Sequence, residues 1–191
     1  MTIYKSIFRT LLGFGAAILF SASAFAQSTI LVVDTGRVLR DSDVGKHIKR
    51  QLETIGKSME SEAKAKASPL ESKGKSLEAQ LKGKSIDSLK GDTALQAQLQ
   101  SFRKDQQAVQ VDLRYKQKEM QITEQKAVQK VQDRLRVILK SIVAERNADV
   151  VLERSLVIYG DPVDVTDTVI SRLNSQMKTV PVTRERLPRK S

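Results

Sequence analysis

Two short runs of β-branched and apolar residues stand at opposite ends of a long charged middle. Residues 29–39 read TILVVDTGRVL, and residues 148–174 read ADVVLERSLVIYGDPVDVTDTVISRLN. Strands this short are marginal in water without partners, so the two ends must meet, and whatever lies between them must leave and return. In that middle, Lys, Glu and Gln surround apolar residues spaced by three and four, the period of a helix with one buried stripe. The pattern predicts an α+β chain, mainly α, in which a long antiparallel helical hairpin projects from a small β body built by the terminal strands.

The body is expected over residues 27–41 and 148–177, and the arms over 42–147 with a tip near 86–92. Thr29–Val33 reads as a buried strand, followed by a helical turn around Val38 and Leu39. Ser42 or Asp43 caps the first arm, because a short side-chain oxygen satisfies the unpaired N–H groups of a first helical turn. Ile48, Leu52, Ile55, Met59, Leu70, Leu77 and Leu81 form its seam, interrupted by Glu62, Lys66 and Lys73. Gly56, Gly74 and Gly83 weaken this helix, and Pro69 predicts a kink near Ser68.

Asp92 caps the second arm, whose seam runs Leu95, Leu99, Phe102, Val109 and Leu113, weakens at Lys116 and Thr123, and resumes at Val131, Leu135, Ile138 and Ile142. Asn147 is a left-handed terminator. Arms of nearly equal length around one break imply a hairpin, since one continuous helix would strand the terminal β segments far apart. Beyond it, residues 149–153 and 156–159 are expected as strands, Gly160-Asp161-Pro162 as a turn, and residues 163–177 as a helix burying Val165, Val169 and Leu173, with Ile170 beside them. Residues 178–191 carry two prolines and five basic residues against one acid, and read as a basic disordered tail. Strands of about five residues cannot bury a core alone, so the body is expected to be an oligomer interface.

Residues 1–26 have the pattern of a cleaved signal peptide: Lys5 and Arg9 without an acid, an apolar run over residues 11–20, and Ala24-Phe25-Ala26 as a small-x-small cleavage site. That run is short of the ~20 residues a bilayer span needs. The mature chain is expected to begin at Gln27, in the periplasm. Removal of Lys5 and Arg9 takes the formal charge from +11 to +9, and takes five of the eight aromatics, leaving Phe102, Tyr115 and Tyr159. The absence of cysteine excludes thiol chemistry and disulfides, so stability must come from packing or assembly.

Catalysis finds little support. His47 is the single histidine, and the carboxylates alternate with Lys and Arg as on a solvated helix face. Gly-Lys-Ser occurs at Gly56, Gly74 and Gly83, but a phosphate-binding loop needs a glycine five positions earlier, where Gln51, Pro69 and Glu78 stand instead. No cofactor or metal is expected. The excess of basic residues admits nucleic-acid binding as an alternative, yet they are mixed with acids rather than gathered into a reading head, and export removes that partner. A structural envelope spacer is a further alternative. A loose, interrupted seam instead suits many weak contacts with an unfolded polypeptide, and the charge suits acidic polypeptide or anionic lipid headgroups.

The terminal blocks TILVVDTGRVL and ADVVLERSLVIYGDP with DVTDTVISRLN, separated by a hairpin-length charged middle, resemble the OmpH (Skp) family of periplasmic chaperones. The resemblance covers the mature chain except its tail. It implies a homotrimer in which strands of three chains complete a small β-barrel, and three hairpins enclose a cavity that holds unfolded outer-membrane proteins without nucleotide hydrolysis. Contact with lipopolysaccharide or anionic lipid is compatible with it, and no nucleic-acid partner is expected. Ile30, Val32, Val151, Leu152, Val157 and Ile158 are then expected in the oligomerisation body. The expected client-contacting arm residues are Leu70, Leu77, Leu81, Leu89, Leu95, Leu99 and Phe102.

Overall fold

The computed structural model describes residues 28–189, so the expected signal peptide lies outside the described residues. Strand β1 (Ile30–Val33) comes first, and Asp34 ends it by accepting a hydrogen bond from the Arg37 N–H at 2.7 Å, which opens helix α1 (Thr35–Asp41). Ser42 then closes α1 and caps α2 (Asp43–Leu81), its hydroxyl accepting from the Gly45 N–H at 3.2 Å. The corner is so tight that a Cβ on Gly45 would stand 1.7 Å from the Leu39 carbonyl oxygen, and only glycine fits there.

The first arm is α2, and the second is α4 (Thr93–Arg146). Asp92 caps α4 by accepting from the Leu95 N–H at 3.0 Å, and Asn147 ends it in the left-handed conformation with φ of 47°. The tip differs from expectation. The first arm stops at Leu81, the chain turns through residues 82–85 with Gly83 at φ of 84°, and residues 86–91 form the short helix α3 (Ile86–Gly91) instead of the break. The arms are therefore unequal, 39 against 54 residues.

Pro69 does not interrupt α2. Its missing N–H orphans the Ala65 carbonyl, but both residues are exposed, so the defect lies on the solvent side of the helix rather than in the seam. On the adjoining turns the Ser68 and Ser72 hydroxyls donate to the carbonyls of Lys64 and Ser68. Gly56 and Gly74 are half-buried within the same helix, Gly74 directly under the Phe102 ring, where a Cβ would meet the ring at 3.1 Å. That glycine is a socket rather than a point of weakness.

Strand β2 (Val150–Glu153) follows the second arm, and β3 (Val163–Asp164) follows a loop. The sheet order is β2-β1-β3 with both pairings parallel, so the first strand is central: Leu31 is opposite Val151 on one side and Val163 on the other. Parallel neighbours require a long crossover, and for β1 and β2 that crossover is the whole hairpin.

The expected strand over residues 156–159 is absent. Arg154–Leu156 forms a single 3-10 turn, and the Arg154 guanidinium reaches Asp164 at 2.5 Å across the loop it closes, which throws the intervening apolar residues outward. Helix α5 (Thr166–Gln176) completes the body, burying Val169 and Leu173 behind Val165 as expected, with Ile170 half-buried beside them.

The core sits at the root of the hairpin. Leu31 and Val33 of β1 meet Val38, Val44 and Ile48 from the α1–α2 corner, Val131, Leu135, Ile138 and Ile142 from the base of α4, and the buried face of α5. Val180 joins the same cluster, which corrects the reading of the tail: residues 178–189 are laid along the hairpin. Among the described residues, no helix is long and apolar enough to cross a membrane.

Candidate functional site

A strand sends alternate side chains to opposite faces. Leu31 and Val33 therefore face the helical core, and Val151 packs against it too. Ile30 and Leu152 instead line an open cleft of about 730 Å³ together with Leu156, Val157, Ile158 and Tyr159. Val32 is buried beside Val157 in a small neighbouring pocket. Four of the six expected body residues (Ile30, Leu152, Val157 and Ile158) are thus gathered on one face, while Val151 points away from it. In a single chain Ile158 is 100% exposed and Tyr159 98%. Apolar side chains gathered in this way are uncommon on the surface of a lone chain.

Along the arms, ion pairs set an antiparallel register: Lys66 with Asp112 at 2.8 Å, then Lys73 with Asp105 at 2.7 Å nearer the tip. Of the expected client-contacting residues, Leu77 and Leu95 are buried, and Leu70, Leu81, Leu99 and Phe102 are half-buried. The Leu89 side chain lies outside the described residues. Leu113, expected in the seam, is instead exposed on α4 together with Val111 and Val137, so the arms present apolar groups to solvent that sequence reasoning did not pick out. His47 is half-buried near the start of α2. No group of three or more His, Cys, Asp or Glu side chains is arranged to hold a metal among the described residues.

Midway along the arms the seam turns polar, and nothing there is loose. Asp112, Lys116, Glu119 and Thr123 recur at helical spacing on α4 and are all buried. Lys116 donates to Glu62 of the first arm at 2.5 Å and lies 3.6 Å from Asp112. The tail closes the cluster. Arg184 bonds Glu62 at 2.8 Å and Glu119 at 2.7 Å, so one guanidinium ties both arms. The Glu185 N–H donates to the Thr123 hydroxyl at 2.9 Å, and the Leu187 N–H donates to the Glu119 carboxylate at 3.2 Å. Arg189 pairs with Asp112 and sits 5.8 Å above the Tyr115 ring centre. Side-chain exposure falls to 2% for Glu119, 7% for Lys116 and 11% for Arg184. No buried side-chain nitrogen or oxygen lacks a hydrogen-bond partner among the described residues.

The electrostatics follow from this geometry. Hydrogen bonds from Lys116 and Arg184 hold the Glu62 carboxyl at about 2. Burial pushes Asp112 upward, but bonds from Lys66 and Arg189 and the Lys116 charge outweigh it and bring the carboxyl to about 2. Glu119 is likewise raised by burial and lowered further by Arg184 and the Leu187 N–H, for a net depression. The polar stripe on α4 was legible in the sequence as a weakening of the seam; its partners Arg184 and Arg189, in a segment without helical or strand period, were not.

The family model for outer membrane protein (OmpH-like) matches residues 29–173. Among solved structures, the chain is similar to an outer membrane chaperone candidate (OmpH-like) from Caulobacter crescentus, with 28% identity and a TM-score of 0.70 over 84% of this chain and 92% of that one. No curated protein matches the chain significantly.

Proposed function

This chain belongs to the OmpH-like outer membrane protein family, and we propose that it is a periplasmic chaperone that holds unfolded outer-membrane proteins without nucleotide hydrolysis. The observation that carries this reading is a body face left wet by a lone chain, at the root of arms that reach far from it. Ile30, Leu152, Leu156, Ile158 and Tyr159 supply that face. In the proposal three chains join there as a homotrimer, and the 54 residues of α4, about 80 Å long, wall a space large enough for a polypeptide. Val111, Leu113 and Val137 offer apolar contact from the arms, alongside the half-buried Leu70, Leu81, Leu99 and Phe102 where the seam opens. Scattered contacts of this kind are individually weak, which lets a client be released, while binding the unfolded state in preference keeps it from aggregating.

The test is dilution of a denatured outer-membrane β-barrel protein into buffer with and without this chain, followed by light scattering. Suppressed scattering, with no need for ATP and with partial persistence in high salt, is the expected result. Scattering that is unchanged, alongside tight DNA binding with a steep salt slope, would replace the chaperone by a nucleic-acid binder.

A further inference from the structure

The mid-arm cluster has the properties of a peptide-binding site whose present occupant is the chain's own end. Without the tail, its inner residues are the carboxylates of Glu62, Asp112 and Glu119 against the ammoniums of Lys66 and Lys116, an acidic balance on a strongly basic protein. Arg184 and Arg189 supply the missing positive charge. The tail is extended where it binds, and the N–H groups of Glu185 and Leu187, two residues apart, are taken by side-chain oxygens one helical turn apart on α4. Main-chain capture of that kind does not depend on which side chains the extended segment carries. Selection falls instead on Arg184, in bidentate reach of carboxylates from both arms, and on Leu187, which with Pro188 borders a shallow cleft beside Tyr115.

We infer that the middle of the hairpin is a binding site for extended, arginine-bearing polypeptide, and that residues 184–189 occupy it as an intramolecular competitor. An incoming segment with arginine three positions before an apolar residue reproduces the pattern of Arg184 and Leu187, and displaces the tail by the same bonds. The inference rests on the chaperone reading only in naming unfolded client as the natural competitor. The site itself is defined by the contacts already formed.

The experiment uses the full chain and a fluorescent peptide of residues 179–191 as probe. In the Arg184→Ala, Arg189→Ala chain the resident segment is weakened, and the probe should bind at least tenfold more tightly than to the unaltered chain. A probe carrying Arg184→Ala should lose that advantage. Equal binding by both chains, or equal binding by both probes, overturns the proposal. Should the doubly substituted chain fold poorly, the unaltered chain gives the answer by hydrogen exchange: excess probe should speed exchange of the Glu185 and Leu187 amides at least tenfold, and unchanged exchange under saturating probe overturns it. No client is present in either assay, so failure of the chaperone reading in light scattering would leave this result standing, and the converse.

Discussion

Arg184 lies between a carboxylate of each arm, and its charge makes the mid-arm cluster sensitive to acid. A carboxylate whose folded value is depressed stabilises the structure while ionised. Its contribution is complete above the unfolded value and is lost as pH falls through the folded one. For Glu62 that window runs from 4.5 down to about 2, and the depression of Glu119 has the same sign. Lys116 is the larger cause of the Glu62 depression and stays when the tail leaves, while Arg184 adds to it, so docking should hold at neutral pH and weaken as pH falls toward the lower end of this window. The chain has no native cysteine, so dyes at Ser61→Cys and Arg186→Cys report the docking by energy transfer. Transfer that holds to pH 2 contradicts the assignment. Glycines make a second residue-scale series. Gly45→Ala forces a Cβ onto the Leu39 carbonyl and should cost about 3 kcal/mol. Gly83→Ala puts a side chain at positive φ and should cost about 1 to 2 kcal/mol. Gly56→Ala meets Met120 at an ordinary 3.5 Å and should gain up to ~1 kcal/mol. Urea midpoints in that order are the check.

Among the elements, the first arm tolerates a proline that most helices reject. Pro69→Ala supplies the N–H that the Ala65 carbonyl lacks in an exposed stretch, and should stabilise the arm by up to ~3 kcal/mol. Circular dichroism would record this as a higher melting temperature, and no rise would mean that the surrounding turns already absorb the defect. The caps at Asp92 and Asn147, the cap at Ser42 as one of two neighbouring candidates, the buried face of α5 and the apolar ends of the seam were legible in the sequence, because each is a local rule about residue type and position. Two things were not, and a third was legible only in part. The LVIY run has strand propensity, but an ion pair between Arg154 and Asp164 closes its loop instead. Polar seam positions announced themselves as interruptions, since Lys116 and Thr123 are poor core residues until the side chains that complete them are known. Residues 178–189 carry no periodicity because their order is borrowed from the helix they lie on.

The whole molecule is a body with one wet apolar face and a long projection, and two substitutions separate the roles of its faces. Ile158→Asp alters a side chain that is fully exposed in one chain, so it should leave the subunit folded and dissociate the proposed trimer. Val151→Asp turns a charge toward the helical core and should unfold the body itself. Light scattering coupled to gel filtration, with circular dichroism on the same fractions, distinguishes a folded monomer from a collapsed body. The placement of β1 between two strands that both come after the hairpin also orders events in time. Thr29 and Asp149 hydrogen-bond across 120 residues of intervening chain, so the first strand must wait until both arms have been delivered before its earliest partner is present. The hairpin closes through nearer pairings and can form first, whereas the sheet bears the full penalty of distant contacts. Until β2 arrives, β1 is a bare apolar edge, and the nascent chain itself passes through the aggregation-prone condition from which a chaperone protects others.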